Sequence, residues 1–279
     1  MKGRIIKGVG GFYYVDAGDS IVECRARGKF RNKQIKPVIG DIVDISTANQ
    51  TIEAILPRKN ELARPLLANI DQLAIVLSVC RPDPDFLLTD KLTVAALEKG
   101  IEVVIIANKT DLGSGNGITD AYKHTGFRVL KTCADKKRGI CRLKAALKGK
   151  TTAFAGNSGV GKSSLLNALG VSVSTGDVSK INRGRHTTRH TELIKIAPNS
   201  YVADTPGFSM LDFDKILADA EGDLSDYFPE FEKAAPCEFS DCRHTENSLN
   251  CGVLKLVEKG KISKTRYRSY LQLKGGAKT

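Results

Sequence analysis

A chain of 279 residues has room for two or three domains, and its 41% hydrophobic and 27% charged content excludes a disordered or fibrous polymer. Seven cysteines, an odd number spread along the sequence, exclude a disulfide framework, and no apolar run is long enough for a membrane helix. The formal net charge of +12 sits at the two ends: twelve Lys and Arg against seven Asp and Glu in residues 1–65, eight against one in residues 255–279, and 23 of each in residues 66–254. Ends of this kind suit a polyanion, nucleic acid above all. The N-terminus, Met1-Lys2-Gly3-Arg4, lacks the apolar core of a signal peptide, so a cytoplasmic protein with no membrane contact is expected.

Residues 4–9, 12–17, 21–27, 41–46 and 51–56 alternate as short strands separated by Gly, Asp-Ser and Asn-Gln turn chemistry. Five such strands in a small basic unit predict a five-stranded barrel of the OB type. Between the third and fourth, Arg25-Ala26-Arg27-Gly28-Lys29-Phe30-Arg31-Asn32-Lys33 is a charged segment with one aromatic. It is a candidate RNA-contacting element, with a solvated loop as the equal alternative.

From residue 70 the pattern changes to apolar strands alternating with helical spacing: strand 72–79, helix 87–99 with Thr89 as its N-cap, strand 101–107, helix 119–125 and strand 127–132. Fully apolar strands in that alternation predict a parallel sheet covered on both faces, with ligands at the carboxyl ends of its strands. Asn108-Lys109-Thr110-Asp111 follows the strand 101–107 at such an end. The Asp111 carboxylate can accept hydrogen bonds from the N1–H and exocyclic amine of guanine, a pair adenine does not offer. Asn108 can meet the other ring edge, and the Lys109 stem can pack on the base. Facing the wrong base, a buried unpaired carboxylate costs about 1–3 kcal/mol. Thr132-Cys133-Ala134, after the next strand, stands where a second base-contacting loop belongs, with small residues that let backbone N–H groups approach the guanine oxygen.

The apolar run 152–155 leads into Gly156-Asn157-Ser158-Gly159-Val160-Gly161-Lys162-Ser163, which fills every position of G-x-x-x-x-G-K-[ST], and Ser164-Leu165-Leu166 leads out as a helix. Successive N–H groups and a helix N-terminus make an anion cradle. Lys162 would reach the β- and γ-phosphates and the Ser163 hydroxyl would bind Mg²⁺. Downstream, strand 200–203 ends in Asp204-Thr205-Pro206-Gly207, where Asp204 can hold Mg²⁺ through water and the Gly207 N–H can meet the γ-phosphate. Before it, the aperiodic polar stretch 180–190 has the place of a switch loop ordered by the γ-phosphate; Thr187 or Thr188, the second preferred, would add a hydroxyl to Mg²⁺.

Cys237, Cys242, His244 and Cys251 are spaced C-x₄-C-x-H-x₆-C, a Cys₃His set for one tetrahedral Zn²⁺ with no open position, hence structural. After them comes a helical tail with Lys264-Thr265-Arg266-Tyr267-Arg268-Ser269-Tyr270, whose interleaved bases and tyrosines suit phosphate contact and stacking on RNA, beside the plainer reading of a helix packed on the zinc unit.

Base motif, phosphate loop, switch loop and Asp-Thr-Pro-Gly are the parts of a GTPase in rotated order. On these motifs, with a barrel before them and a Cys₃His set after, the chain resembles the circularly permuted GTPases of the RsgA/YjeQ family, the ribosome small-subunit-dependent GTPases, over essentially its whole length. The resemblance implies an α/β circularly permuted P-loop GTPase domain over 66–222, between an OB-fold barrel over 1–65 and a small zinc-binding domain over 223–279. It implies GTP hydrolysis with Mg²⁺, stimulated by the small (30S) subunit late in its maturation. It also implies barrel and zinc domain on ribosomal RNA, other assembly factors as further partners, and a monomer. A hydrophobic residue, Phe208, stands where many GTPases place a water-orienting Gln. The resemblance then points to His186 as the catalytic residue that orients or activates water. The gap of six residues between His244 and Cys251 exceeds the family's five, which leaves the ligand set unchanged. A P-loop ATPase or kinase is the rival enzyme reading, opposed by Asn108–Asp111. The rival of another class is a nucleotide-gated RNA-binding assembly factor whose hydrolysis is incidental.

Overall fold

The computed structural model describes residues 1–28, 30, 36–63, 65–171, 191–204 and 222–276. In chain order the strands are β1 (Lys2–Val9), β2 (Phe12–Asp16), β3 (Ile21–Ala26), β4 (Ile42–Ser46), β5 (Thr51–Ile55), β6 (Glu61–Ala63), β7 (Leu66–Ala68), β8 (Gln72–Ser78), β9 (Glu102–Asn108), β10 (Arg128–Lys131), β11 (Thr151–Ala155), β12 (Leu193–Ala197) and β13 (Ser200–Asp204). The helices are α1 (Phe86–Glu98), α2 (Asn116–Tyr122), α3 (Ile140–Leu147), α4 (Lys162–Ala168), α5 (Gly252–Glu258) and α6 (Lys264–Gly276). They fall into two compact units, one of residues 1–73, 140–155 and 162–210, the other of residues 74–139, 156–161 and 211–279.

In the first unit the five N-terminal strands close into a barrel in the order β1-β2-β3-β5-β4, antiparallel except for β3 against β5. Alternation puts Ile5, Val15, Cys24, Val43, Ile45 and Ile52 inside. Phe30 is buried in this same core, so the one aromatic of the segment 25–33 fills the barrel and offers no stacking face. Arg27 pairs with Glu53, and the Arg25 guanidinium lies 4.4 Å over the Phe12 ring; residues 29 and 31–35 fall outside the described set. This unit also holds the antiparallel pair β6–β7, and β11, parallel to β13, with β12 antiparallel to β13. The sheet is thus not wholly parallel: Leu193–Ala197 returns through a tight turn at Asn199, whose φ is 52°, to form a hairpin that the strand–helix alternation does not announce. Asp16 joins barrel to hairpin by accepting from the Tyr201 hydroxyl (2.9 Å) and Lys195 Nζ (2.9 Å). Burial pushes the Asp16 carboxyl up, but the bonds from Lys195, the Gly18 N–H and Tyr201 outweigh it and hold it below the usual carboxylate range.

The second unit holds the strand order β10-β9-β8, with every residue of β8 and all but the first of β9 buried. Helix α1 starts at Phe86, one residue before the expected start, and its cap lies one turn ahead of Thr89. Its N-cap is Asp85, which accepts from Leu88 N (2.9 Å), and the Thr89 hydroxyl instead donates to the Asp85 carbonyl inside the first turn. The C-terminal helices pack with two 3₁₀ turns, Leu224–Tyr227 and Phe231–Lys233, around Phe228, Phe231, Tyr267, Tyr270 and Leu273.

Arg266 is the largest fully buried side chain, and it sits at the centre of this packing. It donates to Asp90 of α1 (2.6 Å) and to Glu230 (2.8 Å), lies 4.3 Å over the Phe228 ring, and shares Asp90 with the Tyr122 hydroxyl of α2. Burial opposes its charge, and the two carboxylates more than restore it. Tyr267 and Tyr270 are buried too, so of the basic–aromatic run only Lys264 and Arg268 remain exposed. The tail is therefore a packed helix, and its tyrosines are not free to stack on RNA. Arg266→Ala leaves Asp90 and Glu230 buried without their cation. It should lower stability by about 3–5 kcal/mol, read as a shift of the urea unfolding midpoint by circular dichroism.

Candidate functional site

The phosphate-loop sequence begins where β11 ends. Gly156 has φ 132°, and a Cβ there would lie 2.3 Å from the Val76 carbonyl of β8; Gly161 has φ 95°, and a Cβ there would lie 2.4 Å from Asn108 Nδ2. Both motif glycines are thus required by close approach as well as by backbone angle. Asn157 Nδ2 donates to Asp85 at 3.2 Å, tying the loop to the N-cap of α1. Ser158 and Gly159 are exposed, Val160 is buried, and Lys162, Ser163 and Ser164 form the first turn of α4.

The guanine-motif residues lie at the end of β9. Asn108 is buried, and its amide is spent inside the protein: Nδ2 donates to the Val160 carbonyl (3.0 Å) and Oδ1 accepts from the Thr132 hydroxyl (3.1 Å). It fastens base motif to phosphate loop, a different task from meeting a ring edge directly. Lys109, at φ 62°, sends Nζ to the Arg81 carbonyl (2.6 Å). Its stem passes close to Gly161, where a Cβ would lie 4.0 Å from Cε. The Thr110 hydroxyl donates to the Thr132 carbonyl at 3.0 Å.

Asp111 is exposed and accepts from the Cys133 thiol at 3.2 Å. That bond, the backbone N–H of Asp111 itself and the charges of Lys136 and Arg138 hold its carboxyl below the usual range, so it stands ready as an ionised acceptor. The backbone N–H of Cys133 bonds the Arg138 carbonyl (3.0 Å) and is not open to a guanine oxygen, whereas the thiol contact went unforeseen. Thr132, expected in the second base-contacting loop, holds both Asn108 and Thr110. Asp85 could have been found from its place before an apolar period. Asp204 closes β13, paired in register with Phe154. His186, Thr187, Thr188, Gly207 and Phe208 lie outside the described residues.

In the same unit as the guanine motif, the ligand atoms of Cys237, Cys242, His244 and Cys251 lie within 4.8 Å of one another. Cys237 Sγ is 3.7 Å from Cys251 Sγ and 3.6 Å from His244 Nδ1, which is 3.4 Å from Cys251 Sγ. A tetrahedron with Zn–S of about 2.3 Å has edges of about 3.8 Å, so the set fits Zn²⁺. Burial and the Lys274 charge keep the His244 imidazole neutral, the ligating form. Burial pushes the Cys251 thiol up to about 11, whereas the His244 N–H and Ser248 hydroxyl outweigh burial at Cys242 and bring it down. A divalent ion would have to displace the remaining protons. The Tyr267 and Tyr270 hydroxyls donate to the carbonyls of His244 and Arg243, both at 2.9 Å, so α6 holds the backbone of the ligand loop.

Comparison with known proteins decides between these readings. The profile described as RsgA GTPase matches residues 55–214, and that of the RsgA N-terminal domain matches residues 2–55. The chain belongs to the RsgA GTPase family. A "Small ribosomal subunit biogenesis GTPase RsgA" from Alkaliphilus metalliredigens is 43% identical, covering 99% of this chain and 98% of the relative. Another of that name, from Carboxydothermus hydrogenoformans, is also 43% identical over 97% of this chain. The crystal structure of YjeQ from Thermotoga maritima superposes with a TM-score of 0.82 at 34% identity, covering 99% of this chain and 98% of that one. That of YloQ, described as a circularly permuted GTPase, gives 0.80 at 34% identity, covering 99% and 94%. This chain has the permuted order, with the guanine motif at 108–111 ahead of the phosphate loop at 156–163.

If the thiol of Cys133 orients Asp111, Cys133→Ala should weaken GDP binding about 5- to 10-fold, the worth of one hydrogen bond to a charged group, and Cys133→Ser should restore it; titration with a fluorescent GDP measures both. Metal removal gives a second expectation. The protein as purified should carry about one equivalent of zinc by atomic absorption, and a strong chelator should expose the segment 237–251 to protease while leaving the barrel intact.

Proposed function

We propose that this RsgA-family chain hydrolyses GTP during late maturation of the small (30S) ribosomal subunit, binding its rRNA and turning over faster on the subunit. The names of its relatives support the ribosomal role. The GTPase reading is carried by one observation above others: the hydrogen bond from Asn108 to Val160 fastens a guanine motif to a phosphate loop within a single unit. In this reading Asp111 accepts from the guanine edge and the Ala134 N–H serves its oxygen. The backbone of residues 156–161 cradles the phosphates, Lys162 neutralises them, and Ser163 with Thr188 would hold Mg²⁺ beside Asp204. The Gly207 N–H meets the γ-phosphate, and His186 orients the attacking water in place of a Gln. Magnesium would neutralise charge developing on the β- and γ-oxygens when bound. Cys237, Cys242, His244 and Cys251 would hold one structural Zn²⁺. The barrel takes residues 1–65, the GTPase domain 66–222 and the zinc-binding domain 223–279. The protein acts as a cytoplasmic monomer among other assembly factors. No helix among the described residues is long and apolar enough to cross a membrane.

Turnover of GTP and ATP, with and without purified small subunits, tests the reading. GTP should be preferred, and subunits should stimulate its hydrolysis at least tenfold; equal use of ATP, or no stimulation at low salt, would overturn it. His186→Ala should remove the stimulated rate while leaving subunit binding within about twofold, as expected for a group acting on the attacking water. Full stimulated turnover in that variant would exclude His186.

A further inference from the structure

The even balance of charge in residues 66–254 is a sum of opposites. Residues 66–222 carry 21 Lys and Arg against 16 Asp and Glu, and residues 223–254 carry two against seven. The excess in the first part is concentrated. Residues 136–150 hold seven Lys and Arg and no Asp or Glu. Helix α3 lies inside this stretch and is amphipathic. It buries Ile140, Leu143, Ala146 and Leu147, and exposes Arg142 and Lys144, with Lys148 exposed just past its end. None of these three is paired with a carboxylate among the described residues. No acid stands three or four residues away in the sequence to neutralise them along the helix. Lys136, Lys137 and Arg138, which precede the helix, are exposed as well. A solvated helix face usually mixes the two signs, because unscreened like charges repel. Here the face is cationic only.

We infer that the exposed face of α3 is a phosphate-backbone contact surface for RNA, formed by Arg142, Lys144 and Lys148 and distinct from the nucleotide and zinc sites. The inference rests on the ribosomal reading above and adds to it a contact made by the GTPase region itself. Three observations select RNA over a protein partner. The face has no exposed large apolar side chain to anchor in a protein pocket. Its cations stand on a packed helix, so little backbone freedom is lost when a polyanion docks. A regular row of phosphates also matches a one-sign surface, whereas acidic protein surfaces interleave their charges.

The test is the triple variant R142Q/K144Q/K148Q, with K99Q/K123Q as a control that removes exposed cations elsewhere. All five residues lie outside the nucleotide and metal sites, so basal GTP turnover should be unchanged in both variants. Affinity for purified small subunits is measured between 50 and 200 mM salt. Each lost phosphate contact removes about 0.9 from the slope of log affinity on log salt, so the triple variant should lose about 2 to 3 and the control less than about 0.5. The same loss should appear with protein-free small-subunit RNA as the probe. A triple variant with wild-type affinity and slope would overturn the inference, as would an equal effect from the control. A loss seen with subunits but not with bare RNA would also overturn it, assigning the face to a ribosomal protein. If the wild-type chain itself shows neither subunit binding nor stimulation, the ribosomal reading fails first, and that result is distinguishable from a wild-type chain that binds while its triple variant is unaffected.

Discussion

The hydrogen bond between the Asn108 amide and the Val160 carbonyl is the constraint around which the second unit is built. Its two ends are 52 residues apart in a chain that meets the base motif first and the phosphate loop second. An amide buried to this degree must have its donors and acceptor satisfied, or it costs about 1–3 kcal/mol. Val160 and Thr132 satisfy it from opposite sides. The same crowding excludes a side chain at position 161, since a Cβ there would collide with Asn108 Nδ2. The glycine of the motif and the asparagine of the motif therefore explain each other. Asn108 thereby holds the turn of residues 108–111 against the backbone of the phosphate-loop motif.

From this point contacts run on through the unit to the Cys₃His set. Asn157 of the loop bonds Asp85, the cap of α1; one turn further along, Asp90 of α1 bonds Arg266 of α6. From α6, the hydroxyls of Tyr267 and Tyr270 hold the carbonyls of His244 and Arg243. The Asn157–Asp85 link is exposed, whereas Asp90 and Arg266 are buried. A buried ion triad is a weak source of stability, because desolvation offsets most of its attraction. Its better use is specification. Arg266 accepts only an arrangement in which α1, α2 and the turn at Glu230 all meet α6, and an apolar residue of equal size would tolerate several.

The elements that sequence made legible are those whose signal is local. The apolar strands β8, β9 and β11, the motif glycines and the Cys₃His spacing each announce themselves within a window of a few to fifteen residues. What could not be read depended on distant partners. Arg266, Tyr267 and Tyr270 look like an RNA-binding run by composition, and only the distant partners Asp90 and Glu230, 176 and 36 residues away, reveal that Arg266 is interior. Phe30 resembles an exposed aromatic in a basic loop until the closed barrel supplies its core. Cys133 was read for the small size that would let backbone approach guanine, and its neighbour Asp111 turns it into a hydrogen-bond donor. The N-cap of α1 was missed for a different reason. Thr89 and Asp85 are both good caps, and periodicity alone does not say which turn is the first.

Net charge is the clearest case of a correct total that hides its own meaning. Several of the cations counted at the ends are consumed internally. Arg58 is bound by Asp41 and Lys59 by Asp71, while Arg266 lies wholly inside against two carboxylates and contributes little to the field outside the protein. The tail therefore presents less positive charge than its eight Lys and Arg suggest. Residues 136–150, in a region whose charges cancel on paper, present more, because no acid in that stretch is available to them. A polyanion responds to the local potential within about 8 Å at physiological salt, not to the sum over the chain. The exposed cations of α3 thus face a polyanion with no acid beside them in the sequence, whereas Arg266 of the tail is neutralised from within.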